Sequence, residues 1–317
     1  MRQVSAALGL LALLACGGGG GSPTSRSEVA PAPTSLPSGW PAGTTVQLVD
    51  GDTGKAVSGT LVVAGVTVQA GAPLATGAAN GATVDVSAPG FLPRQTLVRT
   101  GETRLLLWPD SSTLPADYSR SLVYTVMPAS RGVLEVLSSM RRLPMRVRTV
   151  AVTPSSSIQG DAEAIDAHRA AIEALNSATA ALGVTYRLGG AGDLNVPTRV
   201  DPSATLCVEH TARAFADIWL STGNEVARAE ITFCTTSISA TAGTIVHELG
   251  HTFGLRHSLD PHDTMYPSAQ SSRLSAPTAR EVLTMSLMRA RRPGTQWPDN
   301  DRDASGAAAV RVETVVD

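Results

Sequence analysis

Apolar positions along this chain change period several times, and each change marks a candidate element. Between residues 43 and 109 the pattern is short and alternating. Thr45, Val46, Gln47, Leu48 and Val49 alternate and then meet Asp50-Gly51-Asp52-Thr53-Gly54, a strong turn signal. Further β-type runs follow at 59–68, 82–87, 92–98 and 103–108, separated by Gly71, Gly77, Gly81, Pro89-Gly90 and Gly101. Short strands at this spacing predict a small β-sandwich over 43–109.

From residue 146 the period lengthens. Residues 146–152 are β-branched enough for a strand, and 160–182 read as a helix, with Ile165, Ile172, Leu175 and Leu182 near helical spacing and Asp161 as its cap. Strands are expected at 184–188, 206–210, 214–220 and 226–234, the last two joined by Ser221-Thr222-Gly223-Asn224-Glu225. A helix over 239–253 repeats Ile245, Leu249 and Phe253 every four residues, and another over 276–291 turns Val282, Leu283 and Leu287 inward. The fold class is therefore α+β, with a second domain at 146–292. Residues 110–145 read as a connecting segment, with a strand at 120–127 and a short helix at 132–142. A polar tail, read as a solvated loop, closes the chain at 293–317.

The first 42 residues fit neither pattern. Arg2 precedes an apolar run, Ala6 to Ala15, that is too short for the roughly 20 residues a bilayer span needs. The run closes on Leu13-Leu14-Ala15-Cys16, which resembles a bacterial lipobox. That resemblance implies a lipoprotein signal peptide at 1–16, a lipid on Cys16, and an exported chain anchored to the cell envelope. Residues 17–42, rich in Gly, Ser, Pro and Thr, read as a flexible tether. A net charge of −2 gives no reason to expect nucleic acid as partner. Oligomeric state is open. With Cys16 in the leader, Cys207 and Cys234 remain as an even pair. In an oxidising compartment they form a disulfide; the alternative is two buried free thiols.

The densest chemistry lies in His247-Glu248-Leu249-Gly250-His251-Thr252-Phe253-Gly254-Leu255-Arg256-His257, the pattern H-E-x-x-H-x-x-G-x-x-H. Histidines four apart on a helix project from one face, one turn apart. Their nitrogens can grip one zinc ion at about 2.0–2.1 Å each. Gly254 is placed to end the helix, since glycine turns left-handed at little cost, and the chain can then return His257 as a third ligand. Three protein ligands leave one position open, which suits a catalytic Zn2+ site more than a closed structural one. Glu248 stays near the metal as general base without ligating it.

The same motif resembles the signature of the metzincin zinc metalloproteases, and Asp263-Thr264-Met265-Tyr266-Pro267 supplies a Met-turn. Ser258 after the third histidine, and Met-Tyr-Pro at the turn, are more similar to the matrixin branch than to the astacins. The resemblance implies a mixed twisted sheet with long helices and zinc in a cleft. It implies an endopeptidase whose polypeptide substrate lies along an edge strand, 226–231 or its neighbour. Met265 would floor the metal site, and Tyr266 and Pro267 would line a substrate pocket. The order strand, helix, strands, metal helix, closing helix is similar to that family over about 146–292. Asp52-Thr53-Gly54-Lys55-Ala56-Val57-Ser58-Gly59 and Ser87-Ala88-Pro89-Gly90-Phe91-Leu92 resemble the carboxypeptidase-regulatory-like or transthyretin-like modules of bacterial surface proteins, which implies a spacer or adhesion module, a scaffold with no catalytic residue. Matrixins carry a propeptide cysteine that this chain lacks, so latency by a cysteine switch is not expected. His168, His210 and His262 read as ordinary histidines. Asp301-x-Asp303-x-Ser305-Gly306 is similar to a calcium loop but has Val312 where the closing acid belongs. Two competing readings are an inactive, surface-anchored binding or adhesion lipoprotein with structural zinc, and a hydrolase of non-peptide amides.

Overall fold

A computed structural model describes residues 39–124, 126–128, 135–137, 139–209, 212–221, 223–239, 241–267, 275–302 and 311–316. The leader with Cys16, most of the tether, His210, and Asp303, Ser305 and Gly306 lie outside the described residues.

Seven strands form the first body: β1 (Gln47–Asp50), β2 (Ala56–Val57), β3 (Thr60–Val63), β4 (Val66–Gln69), β5 (Thr83–Ser87), β6 (Arg94–Leu97) and β7 (Arg104–Leu107). They make two sheets, ordered β2-β1-β7 and β4-β3-β5-β6. The run at 59–68 is two strands and not one. Ala64 and Gly65 both take positive φ, and Val63 faces Val66, which is the geometry of a two-residue hairpin turn. Leu48, Leu105 and Leu107 of one sheet meet Leu61, Val63, Val84 and Val86 of the other. Trp40 is buried in this core, and its indole N–H donates to the carbonyls of Arg99 and Glu102. The β-body therefore takes in Trp40, three residues before the expected boundary.

The connecting segment folds differently from expectation. Over the first half of the strand expected at 120–127, α1 (Ala116–Val123) is a helix, while Val126 and Met127 at its end are in a strand. Tyr118 and Leu122, Ser119 and Val123 are buried at i, i+4 spacing, and the Asp110 carboxylate accepts from the Ala116 N–H at its start. The expected helix at 132–142 is absent from its described part, where β9 (Glu135–Leu137) pairs with β8 (Val126–Pro128).

The second body is a six-stranded sheet with helices packed against it. Its elements are β10 (Thr149–Pro154), α2 (Ser156–Gln159), α3 (Ala162–Thr179), β11 (Thr185–Leu188), β12 (Leu194–Val200), α4 (Thr205–Glu209), β13 (Ala214–Leu220), β14 (Val226–Phe233), α5 (Thr236–Ser239), α6 (Ala242–Phe253), α7 (Ala279–Arg289) and β15 (Arg311–Val316). The mixed, α+β character is plain. Sheet order is β11-β10-β12-β14-β13-β15. β11, β10, β12 and β14 run parallel, and β13 pairs antiparallel with both β14 and β15. α3 starts as expected, with Asp161 accepting from the N–H groups of Glu163 and Ala164. It packs on β11 and α6, while α6 packs on β13 and β14.

The second body departs from expectation at four places. A strand was expected at 206–210, but 206–209 belong to α4, where the Cys207 and Val208 N–H groups turn back onto Ala204. The strand β12 was not expected, because Pro197 masks it. Pro197 lies opposite Thr153 on β10, just outside the 198–200 stretch that pairs with β14, so its missing N–H breaks no bond there. β14 is not an edge strand; it lies between β12 and β13. The inward face of α7 is built from Thr284, Met285, Leu287 and Met288, with Val282 and Leu283 only half-buried.

The described part of the tail is not a solvated loop. Thr295, Asp299 and Asp301 are buried, and residues 311–316 complete the sheet. Asp299 takes both ends of the Arg291 guanidinium, at 2.6 and 2.7 Å. Asp301 faces Arg94 and Arg99, each at 3.4 Å, which leaves it engaged by arginines and not arranged as a calcium ligand. The backbones of Gln95, Asp299 and Asp301 bond each other, and Arg291 donates to the Leu106 carbonyl. Leu92 and Trp108 enter the core of the second body, where the Trp108 N–H donates to Ser119. These contacts make the β-body and the second body parts of one compact unit, Pro37–Asp317.

Candidate metal centre

The helix α6 carries both motif histidines because its sequence can bury one face and present the other. Ile245, Leu249 and Phe253 are wholly buried at four-residue intervals, as expected. The helix ends at Gly254, whose φ of +121° and close approach to the Arg141 carbonyl exclude a side chain. The Phe253 carbonyl accepts from the Leu143 N–H, so the helix end is satisfied by the connecting segment. After Gly254 the chain reverses, and the Arg256 N–H donates to the Leu122 carbonyl at the end of α1.

This reversal brings His257 to His247 and His251. One ring nitrogen from each lies within 4.8 Å of the others, close enough to hold a metal ion. His247 Nδ1 is 2.6 Å from the Thr264 carbonyl, and His251 Nδ1 is 2.9 Å from the Leu255 carbonyl. Carbonyls only accept, so each Nδ1 carries the hydrogen and each Nε2 presents a lone pair. The two Nε2 atoms stand 3.1 Å apart. Two lone pairs at that distance repel, and a cation between them turns the repulsion into ligation. The donor set therefore fits a metal on its own geometry. Glu248, in the turn between the two histidines, is completely buried.

The Met-turn is held from below and from the side. Met265 is buried against α6, where its sulfur occupies the space that a side chain at position 250 would need. Gly250 is therefore required by Met265. The Met265 N–H donates to Glu281 Oε1 at 2.7 Å, and Glu281 Oε2 accepts from the Thr278 N–H at 2.6 Å. Thr278 and Glu281 form a capping box at the start of α7. Burial pushes the Glu281 carboxyl up, opposed by the Thr278 and Met265 N–H donors. Ser258, next to His257, donates its hydroxyl to Asp263 and its N–H to the Met265 carbonyl. Arg280 pairs with both Asp260 and Asp263, and its hydrogen bond to Asp260, with that from the His262 N–H, holds the Asp260 carboxyl below its usual range.

No protein-family model matches this chain, and no curated protein matches it.

Of the residues singled out from sequence, His247, His251 and His257 converge, Glu248 shares their helix, and Met265 packs beneath Gly250. Tyr266 follows half-buried, and Pro267 is exposed. Cys207 and Cys234 form a disulfide with Cα atoms 5.5 Å apart, tying α4 to the end of β14. His168 is buried away from the centre and bonds Ala164 and Thr198; His262 is exposed beside Asp260. Sequence reading missed the supporting shell: the carbonyls of Thr264 and Leu255, and Glu281. A signal for Glu281 was present, since Thr278-Ala279-Arg280-Glu281 has capping-box spacing.

Proposed function

We propose that this protein is a zinc-dependent endopeptidase of the metzincin type, close to the matrixin branch. One observation carries the reading. Two histidine Nε2 lone pairs face each other at 3.1 Å, a third histidine closes on them, and a buried glutamate stands in the helical turn between the first two. The Met-turn packed under the metal helix supports it, and so does the mixed sheet with helices laid on it. A structural site needs ligands only, so the buried carboxylate of Glu248 favours catalysis over a purely structural metal.

His247, His251 and His257 would hold the ion. Zinc, when bound, acidifies water towards a pKa of about 7 and polarises a carbonyl. Glu248 takes the proton of the attacking water and returns it to the departing amine. The Thr264 and Leu255 carbonyls fix the tautomer and orientation of His247 and His251, so the rings need not reorganise. The bond broken is the peptide C–N bond, and no covalent enzyme intermediate is required.

Two substitutions test the assignment. Glu248→Ala should keep about one zinc per chain and the native fold while losing about 10²- to 10⁴-fold in turnover of peptide substrates. His251→Ala should lose zinc and activity together. A Glu248→Ala protein as active as the wild type removes this mechanism. Zinc-loaded wild type that cleaves nothing in a broad peptide library leaves the binding-lipoprotein reading in its place.

A further inference from the structure

We propose that this protein's own segment Arg311–Val316 is an internal competitor, seated on the outer edge of β13, the neighbour of 226–231 along which the metzincin resemblance expects an extended substrate to lie. The catalytic consequence rests on the peptidase reading above; the binding consequence does not.

Sheet topology motivates the assignment. The five strands from β10 to β14 come from one continuous stretch of chain, and their two outer strands are β11 and β13. The metal helix α6 packs on β13 and β14, whereas α3 covers the β11 side. The β13 end of the sheet is thus the end that adjoins the metal helix. An unpaired edge strand is a template for any extended chain, through its row of free N–H and C=O groups. Here that row is taken by β15, antiparallel and in unbroken register from Phe215 opposite Val316 to Leu220 opposite Arg311.

The occupant has the character of a removable strand. β15 returns to the sheet from far along the sequence, after α7 and the buried turn around Asp299. Its substantial packing is with β13 alone. Its sequence, Arg-Val-Glu-Thr-Val-Val, is rich in β-branched residues. A polypeptide docked in its place would make the same main-chain bonds. Because β15 is tethered, an incoming strand competes against an effective concentration of about millimolar. Peptides at micromolar concentration would then be held off until β15 leaves.

Three forms of the full, metal-loaded chain test this. The first is wild type. The second carries Glu313→Pro and Thr314→Pro; neighbouring residues face opposite ways, so one proline removes a donor from the ladder. The third carries Asp217→Cys and Thr314→Cys, register partners whose disulfide locks β15 in place. The probe is a fluorescent peptide copying residues 311–317, and the same three proteins are assayed on an extended peptide library. The proline form should bind the probe at least ten-fold more tightly than wild type and cleave at least ten-fold faster. The locked form should bind and cleave at least ten-fold less than the proline form, and a mild reductant that leaves wild type unchanged should restore it to wild-type behaviour. Equal probe binding in all three overturns the proposal. Equal cleavage by locked and proline forms, with Glu248→Ala inactive, overturns it while leaving the peptidase reading intact. Tight binding to the proline form with no cleavage by any form upholds the docking edge and overturns the peptidase reading. If the proline form fails to fold, the locked protein with and without reductant decides alone.

Discussion

His168 shows what a single residue can do once its surroundings are set. Its ring is completely buried, with Nδ1 donating to the Ala164 carbonyl and Nε2 facing the Thr198 hydroxyl at 3.2 Å. Burial lowers its pKa below the ordinary 6.5, and the Ala164 bond offsets that only in part. The folded protein therefore holds this ring neutral where the unfolded chain would protonate it. The stability it contributes is present above pH 6.5 and is lost as pH falls from there towards the folded value. A His168→Gln protein should show a shallower acid dependence. Denaturant unfolding of both proteins between about pH 7 and pH 5 should find the wild-type advantage shrinking, by at most about 1.4 kcal/mol per pH unit. A constant gap across that range would exclude His168 as the source.

At the scale of elements, the metal centre depends on where α6 stops. Gly254 has φ +121°, and an added Cβ would lie 2.7 Å from the Arg141 carbonyl oxygen. Gly254→Ala should destabilise the fold by about 1–3 kcal/mol from backbone strain alone. It should also weaken metal binding, because the same turn delivers His257. Paired thermal unfolding and zinc titration check both effects; a protein with wild-type zinc affinity would show that the turn tolerates rearrangement. Gly250 answers a different constraint. It makes room for Met265, so helix and Met-turn are fitted to each other by the absence of one side chain.

The whole molecule is joined by charge as well as by apolar packing. Arg291 and Asp299 are both completely buried and bond through two contacts, beside the β-body carbonyl of Leu106. Removing one partner strands a buried charge, so Asp299→Ala should cost about 3–5 kcal/mol. The double change Arg291→Met with Asp299→Leu removes both charges and should cost much less. Midpoints in urea compare the two, and equal losses would mean that the pair acts through shape and not through charge. The β-body is packed into the same compact unit as the metal-binding body. Leu92 and Trp108 belong to the core of the second body.

The boundary between what the sequence determined and what tertiary structure decided follows the range of the interactions involved. The metal ligands were legible because their geometry is local: four residues on a helix, a glycine to end it, a third histidine soon after. α3 and its Asp161 cap were legible for the same reason. The Cys207–Cys234 pairing followed from there being two candidates. Long-range matters were not legible. Pro197 hid a strand because its cost depends on which neighbour lies beside it. α1 read as a strand because 120–127 alone suits either period, and burial against the core chose the helix. Polar Asp299 and Asp301 looked solvated because their arginine partners are remote in sequence or invisible to periodicity. The edge of the sheet was decided last of all. Which strand is outermost depends on where residues 311–316 pair, and no local pattern carries that information.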